Sequence, residues 1–318
     1  MRFLKIIAAV VVIAGLLVFV LAMTACGWDF ARIGSMKSET NLYNITDDFN
    51  DIDIKTSTAD VTFLPSEDGG VKVECIDKVR YKHTSSVKDG KLVIELVDER
   101  RWYEHINLFD FYHEHVTVFL PGGEYNSLTM NLDTGDVSIP GDFKFSGIDI
   151  SLSTGDVTCR ASASDTLKIK ASTGDLLIEN ITCANMNLKT STGNITVSGA
   201  SLAGDINIEV STGKVNLADI NCGNLITEGS TGKLNMRKVV ASGKFDIERS
   251  TGDVNFDGCD ASEIYVEVDT GDVRGTLLSD KVYIVETDTG NVDVPKTITG
   301  GRCEISTDTG DVKISVNK

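Results

Sequence analysis

Ser153-Thr154-Gly155-Asp156-Val157, Ser172-Thr173-Gly174-Asp175-Leu176, Ser191-Thr192-Gly193-Asn194-Ile195 and Ser250-Thr251-Gly252-Asp253-Val254 are four copies of one phrase, and its recurrence decides the fold. A Thr-Gly pair closes at Gly135, Gly155, Gly174, Gly193, Gly213, Gly232, Gly252, Gly271, Gly290 and Gly310, at intervals of 19 or 20 residues. Self-similarity at such a period marks a stacked array. Ser57-Thr58-Ala59-Asp60-Val61 is a degenerate forerunner of the same unit.

Around each Gly the apolar residues alternate. Seven, five and three places before it stand Leu128, Met130 and Leu132, or Ile206, Ile208 and Val210, or Ile264, Val266 and Val268. Two and four places after it stand Val137 and Ile139, or Val254 and Phe256. Period two on both sides of a turn predicts two strands, each with one buried face. The unit is therefore strand, tight Thr-Gly turn, strand, and a loop of about six residues. Gly suits a turn that needs positive φ or a close approach of backbones. One unit cannot bury its apolar face alone, so the prediction is an all-β, parallel β-solenoid (β-helix) of about ten coils, roughly 45–50 Å long, with a right-handed wind as the default. The alternative is an antiparallel meander with a hairpin at each Thr-Gly. Gly229 and Arg249 break the inward pattern nearest the turn.

The 318 residues carry a formal charge of -17. Such a chain is repelled by phosphate backbones, which sets nucleic acid aside as a partner. At the start, Arg2 and Lys5 precede an apolar run from Ile6 to Met23. As a helix the run reaches roughly 30 Å, the thickness of a bilayer core. Cations before it and acids after it place the body outside. Two readings stand: an uncleaved signal anchor, or a lipoprotein signal in which Met23-Thr24-Ala25-Cys26 is the cleavage box and Cys26 carries lipid. Residues 1–27 form this segment, 28–124 an irregular N-terminal β region and 125–318 the solenoid. Cys75, Cys159, Cys183, Cys222, Cys259 and Cys303 remain outside the apolar run. Cys183 and Cys222 stand at equivalent sites two coils apart, roughly 10 Å, so buried thiols rather than disulfides are expected.

The irregular region carries a resemblance. Phe49-x-x-Ile52-x-Ile54, Ala59-Asp60-Val61, Leu92-x-Ile94, Arg101-Trp102-Tyr103-Glu104 and Val116-Thr117-Val118-x-Leu120-Pro121, followed by the Ser-Thr-Gly-Asp-Val copies, resemble the putative-adhesin family of bacterial β-strand-repeat proteins. The resemblance implies an envelope setting, adhesion or sensing, and an association with envelope stress; it brings no catalytic residue.

Three groups of side chains are candidates for chemistry. His105, His113 and His115 lie among Glu104, Asp110 and Glu114, with Trp102, Tyr103, Phe109, Phe111 and Tyr112 around them. Converging ligands there would bind metal, and the bland alternative is an aromatic hairpin packed on the solenoid end or against lipid headgroups. The acids of the repeat could serve a polysaccharide lyase or hydrolase, which is the rival function, yet no acid pair with a basic residue stands apart from the period. The third group is a stripe: Glu209, Glu228, Glu248, Glu267 and Glu286, joined by Asp269, Asp272, Asp288, Asp308 and Asp311, with Lys214, Lys233, Arg274 and Lys313 beside them. Within it Glu267, Asp269, Asp272, Glu286 and Asp288 are the candidate ligands for weakly bound Ca²⁺, and the bland alternative is a solvated acidic face. The function expected is a membrane-tethered, non-catalytic binding or scaffolding module, with an envelope protein or polysaccharide as partner.

Overall fold

The computed structural model describes residues 38–99 and 114–317, together with Ile13, Gly15, Leu17, Phe19, Val20 and Thr24. These last six positions, all within or just after the apolar run, are helical and exposed. No helix among the described residues is long and apolar enough to cross a membrane.

The alternation about each Thr-Gly pair resolves into strands that pair with their equivalents in neighbouring coils. Leu128 lies beside Ile148, Ile148 beside Leu167, Leu167 beside Met186 and Met186 beside Ile206, every rung parallel. The chain is therefore a parallel β-solenoid, and the meander is excluded because no hairpin forms at a Thr-Gly. Each turn is closed by contact with the next. The backbone at Gly155 has φ of 140°, and a Cβ there would overlap the Gly135 carbonyl oxygen. Both demands that favour glycine apply at once.

The loop of each middle coil is more regular than expected. Six residues after the turn Gly the backbone enters the left-handed region at Asn180, Gly199, Asp219, Lys238 and Gly258. Beyond that corner the strands Ile195–Leu202 and Val215–Cys222 continue in register, with Ala200 beside Ile220 and Ile220 beside Val239. A third inward face results, and it buries Ala200, Ile220 and Val239. All six described cysteines are buried free thiols, as their spacing implied. Burial pushes the Cys159 and Cys303 thiols up to about 12, which keeps them protonated and inert.

The solenoid also reaches back into the region that had lost its period. The first strands are β1 (Ser38–Ile45), β2 (Asp51–Thr56), β3 (Ala59–Pro65), β4 (Val71–Lys78), β5 (Tyr81–Lys88), β6 (Lys91–Asp98), β7 (Glu114–Leu120), β8 (Gly123–Thr134) and β9 (Val137–Ile139). β2 and β3, flanking Ser57-Thr58, form a coil directly beneath β8 and β9. β6 and β7 form a further coil on its other side. The spatial order is thus β6/β7, β2/β3, β8/β9, so the coil earliest in the chain is second in the stack. β1, β4 and β5 run antiparallel onto this end and close it, β4 on β7, β1 on β4 and β5 on β6.

The opposite end is permuted as well. The strand Gly301–Thr309 lies between the strand ending at Thr270 and the strand Lys281–Thr289. The Gly310 coil is therefore inserted between the Gly271 and Gly290 coils, and Gly290 is outermost. Val285 consequently lies on the outermost coil and is only partly buried.

Core substitutions follow this geometry. Ile208→Asp or Val266→Asp, each burying an unpaired carboxyl, should cost about 3 to 5 kcal/mol in urea unfolding of the full chain. Val285→Asp should cost clearly less, because solvent reaches it. Gly252→Val should destabilise severely, because its φ of 137° and the neighbouring Gly232 carbonyl leave no place for a side chain. Near-native midpoints for Ile208→Asp and Gly252→Val would refute the inward register and the turn stack respectively.

Candidate functional site

The acids that follow the turn glycines are first of all hydrogen-bond acceptors. Asp60 Oδ1 accepts the Asp136 backbone N–H at 2.9 Å, Asp136 accepts that of Asp156 at 2.8 Å, Asp156 that of Asp175 at 2.7 Å and Asp175 that of Asn194 at 2.7 Å. Each side chain thus satisfies the amide of the next coil. Lys214 and Lys233 have no acceptor to offer, and the ladder stops there. It resumes from Asp253 to Asp272 at 3.2 Å, Asp272 to Asp311 at 2.8 Å and Asp311 to Asn291 at 3.0 Å. The second oxygens of this later ladder meet cations, Lys233 on Asp253 at 2.8 Å and Arg274 on Asp272 at 2.6 Å. Amide ladders run beside it, with Asn255 donating to Asn235 and Asn235 to Asn216.

The glutamate stripe is shorter than the sequence implied. Glu209, Glu228, Glu248 and Glu267 do stack. The next residue is Ser306, and Glu286 lies beyond it, because the Gly310 coil is inserted there. Glu267, Asp269 and Asp272 are therefore two rungs from Glu286 and Asp288, roughly 10 Å, too far to share one cation. Asp308 stands between Asp269 and Asp288. Among the described residues, no group of three or more His, Cys, Asp or Glu side chains converges to hold a metal ion. Within the stack, desolvation and then Glu228 and Glu267 push the Glu248 carboxyl above its ordinary range.

Arg249, the break in the inward pattern, is 3 % exposed. Its guanidinium fills the space a Gly229 side chain would occupy and donates to Thr227 Oγ1 at 2.5 Å. The two exceptions are one device, a large cation over a missing side chain. Burial lowers its pKa to about 10.

A buried polar cluster lies under the forerunner turn. His83 Nδ1 is 2.6 Å from Asp77 Oδ1, and His83 Nε2 is 2.7 Å from Thr56 Oγ1. The His83 backbone N–H also donates to Asp77 at 2.9 Å. Beside them Lys78 pairs with Glu114 at 2.9 Å, and Thr58 donates to the same carboxylate. Hydroxyl, imidazole and carboxylate stand in the order of a nucleophile relay. Thr56, His83 and Asp77 are only 7, 1 and 0 % exposed, however, so no substrate carbonyl reaches the hydroxyl. The cluster instead ties β2, β4, β5 and β7 together. Its sequence signal was polar residues in the inward phase of their strands, Asp77 after Val73 and Cys75, and Glu114 before Val116 and Val118.

Of the histidine patch, His115 faces outward, 3.4 Å from Asp60, while Glu114 points inward. Cys26, Trp102, Tyr103, Glu104, His105, Phe109, Asp110, Phe111, Tyr112 and His113 lie outside the described residues.

The family model for Toastrack DUF4097 matches residues 49–209 and 200–318, which covers most of the chain and all the ladders. The chain belongs to the Toastrack DUF4097 family. A solved structure from Parabacteroides merdae, described as a "putative adhesin", is 12% identical with a TM-score of 0.50, covering 89% of this chain and 98% of the other. One from Parabacteroides distasonis, described as a "putative lipid binding protein", is 15% identical with a TM-score of 0.50 and the same coverage. A search of the curated proteins finds no match. These likenesses show the fold.

Two outcomes test the ladders of this Toastrack chain. Asp156→Asn keeps the acceptor and should leave stability nearly unchanged, whereas Asp156→Ala should cost about 1 kcal/mol. Glu248→Gln should raise the melting temperature. A carboxyl whose pKa is raised by folding costs stability fully above that raised pKa and not at all below its unfolded value. The gain should therefore shrink as pH falls through the carboxylate range, and shrink also with added salt. A gain independent of both would show that carboxylate repulsion is not its cause.

Proposed function

We propose that the chain is a membrane-tethered, extracytoplasmic and non-catalytic β-solenoid that acts as an adhesin-like binding or scaffolding module at the cell envelope. The observation that carries this reading is the exterior of the stack. Asp, Asn and Glu columns repeat at roughly 4.8 Å along the rod, and the Asp and Asn side chains that follow the turns are held by hydrogen bonds to neighbouring coils, from Asp60 to Lys214 and again from Asp253 to Asn291. A rigid lattice of identical polar groups suits multivalent contact with a repetitive ligand such as an envelope polysaccharide, where weak contacts multiply. The acids of the ladders sit in register rather than as a singular pair beside a base, and the relay of Thr56, His83 and Asp77 is sealed in the core. The descriptions of the two structural neighbours, an adhesin and a lipid-binding protein, support a binding role.

The tether rests on Arg2, Lys5 and the apolar run that follows them, whose described positions are helical with exposed apolar side chains. Whether that segment stays as an anchor or ends in a lipid on Cys26, it leaves the rod outside. The expected result is full-length protein in the membrane fraction, with residues 38–318 digested by protease added to intact cells. Release of the protein without detergent would sink the tether, and labelling by a lipid precursor that is lost in Cys26→Ser would identify the lipoprotein form. For the binding role, cells displaying the chain should be retained on immobilised envelope polysaccharide more than cells without it. Equal retention would refute that role.

A further inference from the structure

The two ends of the rod are finished differently. The N-terminal end is covered by the antiparallel strands β1, β4 and β5 and plugged by the buried polar cluster. At the other end no further strand covers the outer edge of the Gly290 coil among the described residues, and the following loop reaches back only to its first residue, where Thr297 donates to the Lys281 carbonyl. Among the described residues the strand Lys281–Thr289 pairs only with Gly301–Thr309, and Val292–Asp293 only with Val312–Val316. In the inner coils the turn Gly donates its N–H to the next rung, as Gly271 does to Thr309 and Gly310 to Thr289, both at 2.9 Å. Gly290 and Val292 have no such rung among the described residues.

Side chains at this edge depart from the rest of the rod in the same sense. Eight and six residues before the turn Gly, the outward positions of the inner coils hold mostly polar residues, such as Arg302 and Glu304 in the adjoining coil. In the Gly290 coil they are Val282 and Ile284, and both are exposed. Inward-phase Tyr283 and Val285 stay partly open, Val292 is 46 % exposed, and Ile298 in the loop beside them is 92 % exposed. The strand thus reads apolar on both faces from Val282 to Val285, then acidic at Glu286 and Asp288. Neither acid has a cationic partner among the described residues. Lys281 is buried and already paired with Asp260 at 2.6 Å.

We propose that the outer edge of the Gly290 coil is a β-strand acceptor for an extended segment of a partner protein, apolar over about four residues and cationic beyond them. The unpaired backbone supplies the ladder. Val282, Tyr283, Ile284 and Val285 flank the apolar part on both faces, and Glu286 and Asp288 select lysine or arginine opposite them. A second copy is the poorer occupant, since it would bring Asp280, Glu286, Asp288 and Asp293 of two strongly acidic molecules together. The inference is independent of the membrane tether and of the polar ladders.

The test uses the full-length chain in detergent at 150 mM salt and three fluorescent eight-residue probes read by anisotropy. The first has four apolar residues followed by Lys-Thr-Lys-Thr, the second has both lysines replaced by Glu, and the third carries Pro at two central positions. The lysine probe should bind at least tenfold more tightly than the other two. Val282→Lys with Ile284→Lys, melting as the parent does, should lose at least tenfold. Glu286→Lys with Asp288→Lys should reverse the preference towards the glutamate probe, a gain that misfolding cannot mimic. Equal binding of the lysine and proline probes would reduce the edge to charge attraction and overturn the proposal. Unchanged binding by the Val282/Ile284 double variant would overturn it too, as would a concentration-dependent dimer abolished by that variant, which would make a second copy the occupant.

Discussion

Everything in this molecule depends on how closely one turn lies on the next. Where a Cβ of Gly155 would be, the carbonyl of Gly135 already stands, and the same overlap recurs at Gly174 and Gly193. The spacing is that of a parallel sheet, so a coil that meets its neighbour at the turn is in register along all its strands. The Asp ladder reinforces the same alignment, since each carboxylate accepts an amide of the following coil. Alignment at the corner then fixes the interior, where Leu128, Ile148 and Leu167 form one continuous column. A single repeated contact therefore sets register, core and surface lattice together.

The surface follows from that register and carries its cost. Stacking that satisfies amides with Asp and Asn also sets Glu209, Glu228, Glu248 and Glu267 in a file, where like charges oppose one another. The chain relieves the strain unevenly. Lys189 pairs with Glu209 at one end of the file, and Ser306 ends it at the other. Inside, Arg249 occupies the gap over Gly229 and donates to Thr227. Among the described residues the other buried Asp, Glu, His and Lys side chains lie near the two ends, at Asp77, Lys78, His83 and Glu114 and again at Lys281.

Much of this was legible from residue order. The Thr-Gly period announced the coils, the alternation named Ile208 and Val266 as core, and the equivalence of Cys183 and Cys222 foretold separate buried thiols. The stacking order was not legible, for a physical reason. Thr287-Asp288-Thr289-Gly290-Asn291-Val292 and Thr307-Asp308-Thr309-Gly310-Asp311-Val312 present nearly the same turn and the same inward phase. Either can sit on the Gly271 coil, and only the connections between them decide which does. The acidic stripe was misjudged at Glu286 on that account. The third face escaped notice because its corner is made by a backbone conformation that Asn180, Gly199, Asp219 and Lys238 adopt alike, without a shared side chain. At the forerunner coil, Ser57-Thr58-Ala59 hid a regular rung behind the loss of its glycine.

The permuted order at both ends changes how the rod comes apart. In a solenoid wound strictly in sequence, the outermost coil is the last in the chain and can peel away as a free tail. Here the Gly290 coil is flanked along the chain by the Gly271 and Gly310 coils, which both lie deeper. Detached, it becomes a closed loop pinned at both feet, which gains far less configurational freedom than a tail and so reseals readily. The Gly310 coil in turn can leave only by sliding out from between two neighbours, breaking ladders on both sides at once. An unfolding enzyme that grips this part of the chain meets a clasp rather than a thread end.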